Sequence, residues 1–124
     1  MRALIIGGVG GMGQGVARDL IKQKQVEAVI LADLYPDPER LSTKLRENKK
    51  TSLIKMDVND HDLMVKAFKD VNVVINTAGP FYKTAVPVAK AAVEAKVNYI
   101  DICDDYEGTE ILFNSDIDYM AKKA

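Results

Sequence analysis

The sequence contains no tryptophan, a single histidine (His61), a single cysteine (Cys103) and four prolines in 124 residues. A lone cysteine closes no intramolecular disulfide and fits a reducing compartment, so the expected location is cytoplasmic. His61 has no second histidine, cysteine or suitably spaced acid beside it, so no metal is expected. The net charge is −1, and basic and acidic residues are interspersed. Such a balance carries no electrostatic footprint for nucleic acid or for an anionic membrane. No apolar run approaches the roughly 20 residues that span a bilayer. The apolar stretch Ala3 to Ile6 gives way at once to glycine, unlike the core of a secretory leader. A soluble intracellular chain of one domain is what remains, with 48% apolar residues to build a core.

Glycine is abundant in one place. Six of the eight glycines fall between Gly7 and Gly15, between an apolar run and an amphipathic stretch. Beyond them, short β-branched segments alternate with longer helical ones. Strands are expected at Arg2–Ile6, Ala28–Asp33, Ser52–Asp57, Val71–Asn76 and Asn98–Cys103. Helices are expected at about Gly11–Lys24, Pro38–Glu47, from the capping run "NDHD" to Lys69, through Ala95 with Pro87 in the first turn, and Gly108–Lys123. There is no hairpin signal, and the strands are nearly continuous apolar runs. Both features call for crossovers and helices on both faces. The predicted fold is α/β, a doubly wound parallel sheet of the Rossmann type in order 3-2-1-4-5. The chain ends on a helix where a six-stranded dinucleotide fold would continue, so a fragment of a longer polypeptide is expected.

The segment Gly8-Val9-Gly10-Gly11-Met12-Gly13 fits G-x-G-x-x-G, directly after a strand and directly opening a helix. On this reading Gly8 turns the chain out of the strand, Gly10 lets a pyrophosphate approach, and Gly13 lets the helix pack on the sheet. Bare amides at the helix start, with the dipole behind them, bind the phosphates. Asp33 follows Gly13 by 20 residues, at the end of the second strand, where an acid accepts from the adenosine ribose hydroxyls. Leu34 beside it is also expected at the cofactor; the Asp33 charge would repel a 2′-phosphate, and Leu34 and Tyr35 offer no cation. NAD is thereby favoured over NADP, although Arg40 and Lys44 on the next helix argue the other way. Asp57 and Val58 are candidates for the adenine amino group and ring, with helix capping as the competing role for Asp57. Thr77, Ala78, Gly79 and Pro80 follow the fourth strand at the switch point, where their small side chains would form the wall beside the nicotinamide.

Two stretches, "IIGGVGGMGQGVARDL" and "NTAGPFYKTAVPVAKAAVEAKVNYIDICDD", together resemble the N-terminal nucleotide-binding domain of the saccharopine dehydrogenase family. The second is the more specific, through Gly79-Pro80-Phe81, Pro87-Val88 and Tyr99-Ile100-Asp101. The resemblance covers essentially the whole chain and implies an NAD(P)-dependent oxidoreductase acting at a C–N bond of an amino acid or polyamine. Asp33 resembles the NAD-using, lysine 6-dehydrogenase-like members and so implies a place in lysine metabolism. The resemblance also implies a second, substrate-binding domain beyond this chain, a small-molecule substrate bound only with that domain, and a homodimeric parent protein. Asp101, Asp104, Asp105 and Tyr82 are the residues here that would face such a substrate; loop solvation and helix capping compete for each, and no catalytic residue is assigned.

Other patterns carry less. Tyr119 and Lys123 have the Y-x-x-x-K spacing of short-chain dehydrogenases, but they fall in the far half of the last helix, with Ser115 one turn upstream. Cys103 reads as a small core residue, and Val86, Ala89, Ala91, Ala92 and Val93 as close helix–sheet packing. The alternative function is a stand-alone nucleotide-sensing regulatory module without turnover, of the kind that governs potassium transport. It would share the glycine turn, Asp33, and the pair Asp57 and Asp60. A bare interaction domain with a vestigial pocket is a third reading.

Overall fold

The computed structural model describes residues 1–103 and 106–124. Five strands form one parallel sheet: β1 (Arg2–Ile6), β2 (Ala28–Asp33), β3 (Thr51–Lys55), β4 (Val73–Asn76) and β5 (Asn98–Asp101). Their order is β3-β2-β1-β4-β5, as expected from the crossovers. The helices are α1 (Gly11–Leu20), α2 (Thr43–Arg46), α3 (His61–Phe68), α4 (Phe81–Ala95), α5 (Tyr106–Phe113) and α6 (Ile117–Lys123). No helix of the described residues is long and apolar enough to cross a membrane.

β1 lies at the centre, and its alternation divides the core. Ala3 and Ile5 face α1 and α2, packing with Val9, Ala17, Leu31 and Leu45. Leu4 and Ile6 face the other layer, with Met64 and Phe68 of α3 and Val88, Ala91 and Ala92 of α4. The strand is apolar at every position from Ala3 because neither face meets water. Ile5 sits opposite Leu31 of β2 and Ile75 of β4, so the three middle strands end together. The next connection leaves β1 towards β2 and the later one towards β4, which opens a crevice between the strand ends.

Several elements differ from the sequence reading. α1 stops at Leu20, not Lys24, because Lys22 to Gln25 have no apolar face to bury. The Lys50 ammonium donates to the carbonyls of Ile21 (3.1 Å) and Gln23 (3.0 Å), satisfying the helix end. The expected helix Pro38–Glu47 is broken into a 3-10 turn (Pro38–Arg40) and the short α2, with Leu41 extended between them. Burial of Leu41 beside Leu45 draws the chain inward at that point. α4 begins at Phe81, with Pro80 as its N-cap, so Pro87 lies in the helix interior rather than its first turn. Its ring removes the amide that would bond to Lys83. The expected last helix is two, α5 and α6, separated at Ser115. The Ser115 hydroxyl donates to the carbonyl of Leu112 (2.6 Å) and accepts from Ile117 N–H (3.3 Å). β5 is an edge strand and half exposed, so Cys103 beyond it is only partly buried.

Candidate functional site

At the carboxyl end of β1 the chain reverses at Gly7, whose φ of +77° is unfavourable for any residue with a Cβ. The G-x-G-x-x-G pattern predicts this turn at Gly8. Gly8 instead lies against β2, where an added Cβ would sit 2.7 Å from Leu31 Cβ. Gly13 takes the role expected of it: a methyl there would collide with the Gly7 carbonyl oxygen, so the glycine lets α1 rest on the turn. Gly10 caps α1 in extended conformation and accepts from Gln14 N–H (2.9 Å). The amides of Gly11, Met12 and Gly13 precede that first intrahelical bond, as helix geometry requires.

Asp33 ends β2 beside this turn. Its Oδ2 accepts from Val9 N–H and its Oδ1 from Tyr35 N–H, each at 3.2 Å. The carboxylate is thus aimed by the glycine turn on one side and by its own loop on the other. Gln14, which the glycine motif does not single out, lies buried beneath both. Its amide group donates to the carbonyls of Val9 and Arg40, each at 2.8 Å, and its oxygen accepts from Ser42 N–H at 3.0 Å. A single side chain therefore ties the glycine turn to the loop after β2. The signal was present as a polar residue on the inward face of α1, near Gly13 and Ala17.

The cleft above these strand ends measures about 440 Å³, within the usual range of small-molecule sites. Gly10, Asp33, Leu34, Asp57, Val58, Thr77, Ala78 and Gly79, all expected in the site, line it together. Ile6, Gly7, Arg40, Met56, Asn59 and Thr84 line it too. Six expected residues do not. Gly8 and Gly13 serve packing, and Val9 puts its side chain in the core while its amide holds Asp33. Gly11 and Met12 are exposed at the start of α1, and Pro80 is exposed after a cis Gly79–Pro80 peptide.

Asp57 accepts from Asn59 N–H (2.9 Å), closing a turn, and Asp60 caps α3 by accepting from Leu63 N–H (3.1 Å). The capping role thus falls to Asp60, and Asp57 keeps its place in the cleft. On the opposite wall, Thr77 Oγ1 donates to the Ile6 carbonyl (2.7 Å). Asp101 Oδ2 accepts from the Tyr99 hydroxyl (2.9 Å) and Oδ1 from Cys103 N–H (3.2 Å), so both oxygens are used in holding β5. Burial, joined by the neighbouring Asp101 charge, pushes the Tyr99 hydroxyl well above the usual tyrosine range, against the opposing hydrogen bond from Asn76. Tyr82 is exposed on the first turn of α4, with the Lys83 ammonium 5.9 Å from its ring centre. Asp104 and Asp105 lie outside the described residues. His61 Nε2 pairs with the Glu94 carboxylate between α3 and α4, away from the cleft.

A larger groove, about 760 Å³, lies between α4 and the pair α5 and α6. It is lined by Val93, Val97, Leu112 and Ile117, and it contains none of the glycines or acids expected at the site. Its position near the amino end of β5 puts it away from the strand ends where such sheets bind ligands. Tyr119 and Lys123 also lie away from the cleft, the Lys123 ammonium resting 5.2 Å from the exposed Tyr119 ring.

A family model, the saccharopine dehydrogenase NADP binding domain, matches residues 3–123. The chain belongs to this family. A nicotinamide dinucleotide is therefore the cofactor class of the domain. Among solved structures, the apo saccharopine dehydrogenase (L-Glu forming) of Saccharomyces cerevisiae superposes with a TM-score of 0.69 at 21% identity, over 89% of this chain and 23% of that one. The UDP-glucuronic acid 4-epimerase of Bacillus cereus, in complex with NAD, superposes at 0.66 with 17% identity, over 99% of this chain and 53% of that one. At such identities these likenesses show the fold. A 3 beta-hydroxysteroid dehydrogenase/Delta 5-->4-isomerase of Monkeypox virus is 31% identical over 74 residues, 60% of this chain and 20% of the viral protein. The chain thus spans about a fifth to a quarter of these two dehydrogenases.

The residues present fit a dinucleotide. A Cβ built on Gly11 or Gly79 meets nothing within 4 Å, leaving backbone open to solvent at the start of α1 and on the opposite wall. The amides of Gly11, Met12 and Gly13, which precede the first intrahelical bond, suit phosphate, and the Asp33 carboxylate suits ribose hydroxyls.

Proposed function

We propose that this domain holds the cofactor of an oxidoreductase that transfers hydride at a C–N bond of an amino acid or polyamine, with NAD favoured over NADP. The observation that carries the reading is Asp33, oriented by the glycine turn through Val9 N–H and lining one cleft with the Thr77–Gly79 wall. The start of α1 receives the diphosphate, Asp33 the adenosine ribose, and Val58 with Met56 the adenine face. When bound, the cofactor supplies the hydride donor or acceptor, while the protein holds the reacting carbons near one another. Arg40 lines the same cleft, so NADP is expected to bind as well, more weakly. The substrate class rests on the family, and substrate-binding residues are expected outside this chain.

Titration of the purified chain with NAD, NADP, ATP and AMP tests the reading. NAD is expected to bind more tightly than ATP or AMP, because only the whole dinucleotide meets both walls. ATP binding as tight as NAD would favour the sensor and overturn the proposal.

A further inference from the structure

β4 reads Val73-Val74-Ile75-Asn76, and the asparagine is as fully buried as the apolar residues before it. A primary amide in such a place is unfavourable unless every hydrogen-bonding group is met. All of them are. Asn76 Oδ1 accepts from Ala78 N–H at 3.0 Å. Its Nδ2 donates one hydrogen to Thr84 Oγ1 at 3.2 Å and the other to the Tyr99 hydroxyl at 3.3 Å. Thr84 passes its only proton to the Ala78 carbonyl at 2.7 Å, and Tyr99 passes its own to Asp101 Oδ2 at 2.9 Å. Each direction follows from the last. The Ala78 N–H requires the asparagine oxygen, and this turns the amide nitrogen towards both hydroxyls. Their protons are then left for Ala78 and Asp101.

The result is that both backbone polar groups of Ala78 are clamped, the N–H by Asn76 of β4 and the carbonyl by Thr84 of α4. Ala78 and Thr84 line the cleft, whereas Asn76 and Tyr99 do not. Asp33 marks the adenosine side at β2, so the nicotinamide side lies across the switch point, over β4 and its following loop. We propose that Asn76, together with Thr84 and Tyr99, is a positioning residue for the nicotinamide half of the dinucleotide, acting through the backbone of Ala78. The inference rests on the dinucleotide reading above. The clamp holds the wall that the nicotinamide half meets and leaves the adenosine half untouched.

The experiment compares the affinities of NAD and ADP for the wild-type chain and for Thr84→Val, Thr84→Ser and Tyr99→Phe. Thr84→Val keeps the shape and removes the proton that holds the Ala78 carbonyl. It is expected to weaken NAD about tenfold, the equivalent of one hydrogen bond, with ADP unchanged. Thr84→Ser restores the proton and is expected to restore NAD affinity. Tyr99→Phe, remote from the cleft, is expected to weaken NAD by about threefold, as a more distant member of the same network. Equal losses for NAD and ADP, or no change in their ratio, would overturn the inference. So would an effect of Thr84→Val with none from Tyr99→Phe, since that pattern belongs to direct contact by Thr84. A wild-type chain that binds neither NAD nor NADP would overturn the dinucleotide reading itself, a result distinct from an unchanged ratio.

Discussion

Replacing Asp33 by asparagine alters one polar group and leaves the shape of the side chain. The carboxylate now accepts from Val9 N–H on one oxygen and from Tyr35 N–H on the other. Asparagine has one oxygen, so whichever way it turns, its NH2 group confronts a backbone donor. Leaving a donor unmet costs about 1–3 kcal/mol when buried, and the lower end applies because water reaches this loop. The effect on binding is larger. Hydrogen bonds to a charged acceptor contribute about 1.5–3 kcal/mol against about 1 for a neutral one. Two ribose hydroxyls would together lose about 2 kcal/mol, or roughly 30-fold in affinity for NAD. NADP lacks one of those hydroxyls and carries a phosphate that the Asp33 charge repels, so its affinity is expected to hold or rise. Calorimetric titration of both cofactors should therefore show the NAD-to-NADP preference falling by tenfold or more. A preference unchanged by Asp33→Asn would refute the assignment of this carboxylate to the ribose.

Two further outcomes concern the scaffold. Gly13→Ala drives a methyl into the Gly7 carbonyl and to 2.8 Å from Gly8 Cα, so α1 must lift from the sheet. A loss of about 1–3 kcal/mol is expected in thermal unfolding, whereas Gly11→Ala, whose methyl meets nothing, should melt no lower than wild type. Tyr99 is held protonated in the fold, so its stabilising contribution is complete below pH 10. It declines above that, as the unfolded chain ionises and the folded chain does not. The stability difference between wild type and Tyr99→Phe should thus move against wild type by at most about 1.4 kcal/mol between pH 9 and 11. A difference independent of pH would place that hydroxyl in water.

Much of this protein could be read from its residues in order, because local chemistry decided it. The run Ala3–Ile6 is apolar throughout, and it became a strand covered on both faces. The spacing of Gly10, Gly13 and Asp33 placed a helix start beside an acid, and the structure joins them through Val9 N–H. Asp60 was recognisable as a cap from its own short-range chemistry. What the order of residues left open are the contacts between segments distant along the chain. Gly7 and Gly8 look alike in sequence, and only the nearness of Leu31 on the neighbouring strand separates the turn from the packing contact. The helix expected over Pro38–Glu47 was locally reasonable, but burying Leu41 in a core built from other strands outweighed a few residues of helix propensity.

The same distinction explains the two buried amides. Gln14 and Asn76 each look like polar residues at the border of an element, and their own neighbours give them no evident task. Gln14 meets partners 26 and 28 residues away, and Asn76 meets one 23 residues away. A buried amide is favourable only where several such groups converge from different segments, and convergence is a property of the folded chain. The sequence alone determined the cleft proposed for the dinucleotide: short-range turns, caps and strand apolarity set its lining. The tertiary structure decided how firmly each wall is held, because that depends on side chains that reach across the sheet.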